Sequence, residues 1–188
     1  MSDTLKGRVA LVTGGSRGVG RAISLALAAD GADVAMIFRK DQDAADAMVS
    51  EITAMGQRAI ACQASVTDYD AIKDVVARVE TELGPVGILV NNAGIASRGK
   101  TVADTDPEEL LRVVSTHALA SHHLSGLVIP KMRELERGDM VMISSAATQG
   151  LGANGAPYNM AKCALEALAF TLAKEEMANG IRVNVAAP

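Results

Sequence analysis

The stretch APYNMAKCALEALAF, residues 156–170, sets Tyr158 and Lys162 four positions apart in a run rich in alanine and leucine. On a helix that spacing brings both side chains to one face, with Cβ atoms roughly 5–6 Å apart. A phenol beside an ammonium is equipped to move protons. An unperturbed tyrosine ionises near about 10, too high for an efficient base at neutral pH, and a neighbouring positive charge favours the phenolate. The same spacing also suits a tyrosine at a helix start with a solvated lysine beside it, so the rest of the chain must arbitrate. A second stretch, TGGSRGVG at 13–20, ends the apolar run RVALVT. Gly14, Gly18 and Gly20, with Ser16, Arg17 and Val19 between them, stand where a strand would turn sharply into a helix. Glycine there permits positive φ and lets backbone approach a phosphate, whose charge a helix N-terminus favours. The spacing is GxxxGxG, unlike the commoner GxGxxG dinucleotide fingerprint.

About twenty residues further on, dinucleotide sites often carry an acid that binds the ribose 2′-hydroxyl. Here the next apolar run ends IFRK, so Arg39 and Lys40 occupy that zone, with Asp41 beside them. A carboxylate repels a 2′-phosphate, whereas a guanidinium binds it through a charge-assisted fork. The expected cofactor is therefore NADP(H) in preference to NAD(H), with Arg17 joining Arg39; the alternative is a merely solvated Arg39.

These residues need elements to position them. Apolar runs at 8–13, 33–38, 58–64, 86–94, 139–145 and 181–187 alternate with helical patterns at 19–30, 41–56, 68–83 and about 107–134, and with the helix that carries Tyr158. Unbroken apolar strands imply burial on both faces, as a parallel sheet between helices requires. Asp106 caps the long helix, Pro107 suits its first position, and Glu108 and Glu109 suit its dipole. Six strands alternating with five helices predict an α/β doubly wound, Rossmann-like parallel sheet with helices on both faces. No linker, repeat or low-complexity segment divides the 188 residues, so one domain over 1–188 is expected. Ligands of such sheets lie beyond the C-terminal strand ends, where both stretches fall.

Composition narrows the function classes. Hydrophobic residues make up 49% and charged residues 21%, a globular balance, and with only 2% aromatics the core must be aliphatic. A net charge of −4 argues against nucleic acid or an anionic membrane surface as partner. No apolar run reaches the roughly 18 residues of a membrane span, and MSDTLKGRVALVTGG breaks into glycine too soon for a signal peptide. Cys62 and Cys163 form no metal spacing and read as small core residues in a reducing compartment, and His117, His122 and His123 form no metal set. A cytoplasmic protein without a metal is expected.

TGGSRGVG, NNAG at 91–94, ISS at 143–145 and YNMAK at 158–162, in this order and spacing, resemble the short-chain dehydrogenase/reductase family over essentially the whole chain. The chain is similar to the branch that contains 3-oxoacyl-[acyl-carrier-protein] reductases. The resemblance implies hydride transfer between NADPH and a carbonyl, with Tyr158 as general acid in reduction and base in reverse. Lys162 would support Tyr158 and bind the nicotinamide ribose. The family spacing of 13 positions selects Ser145 over Ser144 as the serine that hydrogen-bonds the substrate oxygen. Asn91, Ala93 and Gly94 would line the adenosine–ribose side, with Asn92 tying strands together. Ser65 and the Val66 backbone stand where relatives hold the adenine amino group.

The chain departs from the family twice. The long helix reads VVSTHALASHH, with His117 where relatives place an asparagine that holds a relay water. Imidazole both donates and accepts, so His117 either carries that relay or breaks it. The sequence also stops at Pro188, where relatives continue into a nicotinamide-contacting segment, substrate-covering helices and a further strand. The domain is therefore expected to be C-terminally incomplete. The expected activity is a 3-oxoacyl thioester reductase, the alternatives being a broad alcohol/ketone dehydrogenase or a catalytically silent dinucleotide-binding protein. The expected partners are a small carbonyl or alcohol substrate, an acyl thioester carrier, and further copies of the chain in a homodimer or homotetramer.

Overall fold

A computed structural model describes residues 4–188; Met1, Ser2 and Asp3 of the N-terminal stretch lie outside the described residues. Six strands form one parallel sheet in the order β3-β2-β1-β4-β5-β6: β1 (Val9–Thr13), β2 (Asp33–Phe38), β3 (Ala59–Gln63), β4 (Val86–Asn91), β5 (Gly138–Ile143) and β6 (Ile181–Ala186). The order reverses between β1 and β4, which opens a crevice at their C-terminal ends. The doubly wound architecture is the one the alternating pattern predicts.

Alternation along the strands divides the core between two faces. Ala10, Val12, Val34 and Met36 pack under α1 (Gly18–Ala29) and α2 (Gln42–Ala54). Val9, Leu11, Ala35 and Ile37 face the other way, under α3 (Tyr69–Glu82), α5 (Ala120–Met132) and α7 (Ala156–Glu176). Each fully buried branched or methionine side chain contributes about 1.5–3 kcal/mol relative to an exposed one. β1, β2 and β4 are buried along nearly their whole length, but β5 and β6 alternate between buried and more exposed positions. The expectation of two-sided burial therefore holds for the centre of the sheet and fails toward both edges, β3 and β6.

The helix expected over 107–134 runs unbroken from Pro107 to Met132 but is not α-helical throughout. It starts as α4 (Pro107–Val114), where Asp106 accepts from the Glu108 N–H at 2.9 Å, as its sequence suggests. It then widens into a π-helical turn over Ser115–Leu119 and resumes as α5. A short α6 (Ala147–Gly150), absent from the sequence reading, follows β5. Cys62 is buried, but Cys163 is exposed, correcting its reading as a core residue: it lies with Ala164, Ala167 and Phe170 on the outer side of α7. Tyr69, at the start of α3, meets His123 of α5 edge-on, ring centroids 5.3 Å apart. No helix among the described residues is long and apolar enough to cross a membrane.

Candidate functional site

Beyond the C-terminal strand ends lies a cleft of about 1310 Å³, large enough for a dinucleotide together with a small substrate. The glycine turn forms one end of it. A Cβ on Gly20 would stand 2.1 Å from the Gly14 carbonyl oxygen, so the first turn of α1 closes on β1 only with glycine there. α1 has no side-chain cap and no acid in its first turn, whereas α2 and α3 are capped by Asp41 and Asp68. The positive end of α1 is thus left for a ligand, which fits a pyrophosphate. Ser16, Arg17, Gly18 and Val19 line this end of the cleft together with Gly14 and Gly20.

Arg39 and Lys40 line the cleft at the end of β2, both exposed. The neighbouring Asp41 carboxylate accepts from the Ala44 N–H at 3.1 Å, so this acid is engaged as a helix cap. Ser65 and Val66 line the wall after β3, and the Ser65 hydroxyl pairs with Thr67 Oγ1 at 2.9 Å.

At the end of β4 the structure separates the two asparagines. Asn92 Nδ2 donates to the Thr13 carbonyl at 2.8 Å, and the Asn92 and Ala93 N–H groups donate to Thr13 Oγ1 at 2.9 and 2.8 Å. This ties β4 to β1 at the crevice, and Ala93 and Gly94 line the cleft. Asn91 is not brought there: its side chain is buried and donates to Met142 Sδ at 3.2 Å, because its place in β4 turns it toward β5. The expected lining by Asn91 is corrected to Asn92.

The π-turn presents His117 behind this wall. Its Nε2 lies 3.1 Å from the Ile95 nitrogen and 2.9 Å from the Ile95 oxygen, while Nδ1 has no partner among the described residues. A Cβ on Gly94 would come within 2.5 Å of the His117 ring, so glycine is what admits the imidazole. Burial, aided by the Lys162 charge and opposed by the Ile95 bond, lowers the His117 pKa to about 4. The ring is therefore neutral near pH 7. It meets Tyr158 edge-on with centroids 5.4 Å apart.

α7 and the end of β5 complete the arrangement. Pro157 sits in the first turn of α7 and Tyr158 follows it, partly exposed in the cleft. Lys162 is only 4% exposed; its Nζ donates to the Ile143 carbonyl at 2.5 Å and stands 5.6 Å from the Tyr158 ring centroid. Burial lowers its pKa to about 8, against the opposing charge of Glu166. The two serines, which follow the last residue of β5, make different contacts. Ser144 is buried and donates to Glu166 Oε1 at 2.6 Å, whereas Ser145 Oγ accepts from the Ala147 N–H at 3.2 Å, leaving its own proton free for a ligand oxygen. Tyr158, Lys162, Ser145 and His117 all line the cleft. Among the described residues no group of His, Cys, Asp or Glu could hold a metal.

Sequence reading missed Thr13 and Glu166. Thr13 closes a strand and looks like any β-branched residue; Glu166 continues the four-residue spacing of Tyr158 and Lys162, a signal that was there to follow.

The family model for short chain dehydrogenase matches residues 8–188. A short chain dehydrogenase from Pseudocercospora fijiensis is 38% identical over 180 residues, covering 94% of this chain and 57% of the relative. The 3-oxoacyl-[acyl-carrier-protein] reductase FabG of Staphylococcus epidermidis is 36% identical over 183 residues, covering 95% of this chain and 73% of that protein. The chain thus spans little more than half of the first relative and about three quarters of the second. A short chain dehydrogenase from Burkholderia cenocepacia, solved in complex with NADP, aligns with TM-score 0.92 and 37% identity over 98% of this chain and 75% of that one. A xylitol dehydrogenase bound to NAD+ aligns with TM-score 0.92 and 28% identity over 98% of this chain and 70% of that one.

Proposed function

The chain belongs to the short-chain dehydrogenase family, and from that premise we propose that it interconverts a carbonyl and a secondary alcohol with NADP(H), a 3-oxoacyl thioester being the foremost substrate. The observation that carries this reading is that Tyr158, Lys162 and Ser145 line the same cleft as the uncapped start of α1. The glycine turn, Arg17, Arg39, Ser65, Val66, Ala93 and Gly94 would hold the dinucleotide, which when bound would supply or take up the hydride. In reduction Tyr158 gives its phenolic proton to the carbonyl oxygen, and in oxidation it takes one from the alcohol. Ser145 donates a hydrogen bond to the same oxygen as negative charge grows there. Lys162 brings positive charge to the phenol and would hydrogen-bond the nicotinamide ribose.

His117 is proposed to hold the loop after β4 through Ile95 and to back the Tyr158 ring. Its Nε2 is committed to backbone, which supports this role over a charged relay. The thioester substrate rests on similarity to FabG. Exposed Leu119, Met160 and Phe170 on the π-turn and α7 support pairing with further copies of the chain.

The test is NADPH oxidation against a panel of carbonyls that includes a 3-oxoacyl thioester, an aliphatic ketone and an aldehyde. Turnover of the thioester alone supports the leading reading, and broad turnover supports a general alcohol/ketone dehydrogenase. NADPH binding without any turnover would leave a silent binding protein.

Two substitutions test the parts. Arg39→Asp should weaken NADPH binding by about 10–100-fold, the worth of a charge-assisted contact, and leave NADH within about threefold. An unchanged ratio of the two dissociation constants would remove Arg39 from the site. Ser145→Ala should lower kcat by about 10²–10³, as loss of an oxyanion donor does. Ser144→Ala should lower it much less; the reverse order in steady-state rates means the serine register is wrong.

A further inference from the structure

Glu166 stands one turn beyond Lys162 on α7, so Tyr158, Lys162 and Glu166 recur every four residues along one helix face. Its Oε1 accepts from Ser144 Oγ at 2.6 Å and from Thr148 Oγ1 at 3.0 Å. These two hydroxyls flank Ser145. Ser144 precedes it at the end of β5, and Thr148, in α6, also reaches the Ser145 carbonyl oxygen at 3.0 Å. One turn back, Lys162 Nζ donates to the Ile143 carbonyl, on the residue before Ser144. The segment 143–148 is thus gripped from α7 at two adjacent levels, by a cation on a carbonyl and by an anion on two hydroxyls. A neutral amide could satisfy hydroxyls equally well, so the charge needs its own reason. That reason lies alongside: the buried Lys162 ammonium, which the Glu166 charge helps to keep protonated. The other titratable groups that face Lys162 are His117 of the π-turn, neutral near pH 7, and Tyr158 on the same helix.

We propose that Glu166 is a positioning residue for the reaction: it fixes the 143–148 turn that presents the Ser145 hydroxyl to the cleft, and it is the counter-charge of Lys162. This rests on the oxidoreductase reading of the same site. The four-residue spacing marks the residue, and the contacts with Ser144 and Thr148 that give it this role come from the structure.

The experiment uses the full chain with Glu166→Gln and Ser144→Ala. Lys162 is followed through the 13C resonance of its Cε in lysine-labelled protein, assigned by its disappearance in Lys162→Arg. Glu166→Gln keeps an acceptor for the two hydroxyls but removes the charge beside Lys162, so it should slow kcat by about tenfold or more near neutral pH, with the NADPH dissociation constant within about twofold. It should also make Lys162 lose its proton at lower pH than in the unsubstituted chain. Ser144→Ala cuts one strut and leaves the charge, so it should slow kcat modestly and leave the Lys162 titration unmoved. An unmoved Lys162 titration in Glu166→Gln overturns the proposal. So does a fall in kcat matched by equal falls in NADPH affinity and thermal stability, the pattern of a purely structural contact. If the unsubstituted chain reduces no carbonyl, the oxidoreductase reading fails, and the Lys162 titration still decides whether Glu166 acts as its counter-charge.

Discussion

Tyr158→Phe is expected to reduce carbonyl turnover by about 10³-fold or more, within the range a positioned general acid contributes. The substitution removes one oxygen and nothing else. The ring that meets His117 edge-on stays, so the wall behind the cleft keeps its packing. Cofactor affinity should remain within about twofold, because the glycine turn and Arg39 are remote from the phenol oxygen. Steady-state rates alongside an NADPH titration check both halves. A variant retaining more than a tenth of the rate would mean that the proton comes from elsewhere.

Lys162→Met should do the opposite to stability and activity. Burial holds the Lys162 ammonium at a pKa of about 8, below its ordinary 10.5. The folded pKa is depressed, so between about 8 and 10.5 the unfolded chain binds more protons and stability rises with pH. Below that window, which includes neutral pH, the protonated lysine carries its full destabilising effect, about 3 kcal/mol for a shift of this size. Methionine removes that effect but leaves the Ile143 carbonyl without its donor, which costs about 1–3 kcal/mol. The net expectation at pH 7 is a gain of about 1 kcal/mol, or a Tm raised by about 2–4 °C, with turnover lost and NADPH bound more weakly. The gain should vanish toward pH 10.5. Thermal melts at both pH values decide it: a variant less stable than its parent at pH 7 would mean the ammonium is not strained where it sits.

The sequence made legible whatever depends on local chemistry. Strand–turn–helix geometry at 13–20 follows from glycine spacing after an apolar run, and the cap at Asp106–Pro107 follows from residue type; both stand in the structure. Ser144 and Ser145 are chemically identical, and only the spacing to Tyr158 in the resembling family singles out Ser145. What stayed hidden depends on register between distant segments. Asn91 and Asn92 are chemically identical, and only the pairing of β4 with β5 sends one inward and the other to the crevice. The π-turn at Ser115–Leu119 adds no residue type that would betray it in a helical run. Cys163 was misread because a helix rich in alanine disguises which side faces out.

The contact of Tyr69 with His123, far from the cleft in character, has a practical consequence for optics. The chain carries two tyrosines and no tryptophan, so its phenol absorption comes from Tyr69 and Tyr158 alone. Tyr69 is 48% exposed on α3, where a phenylalanine keeps the edge-on ring contact with His123. With that one exchange the cleft phenol becomes the sole chromophore of its kind. Its proton could then be watched directly by absorbance, without a label and without a competing indole, while ligands enter and leave.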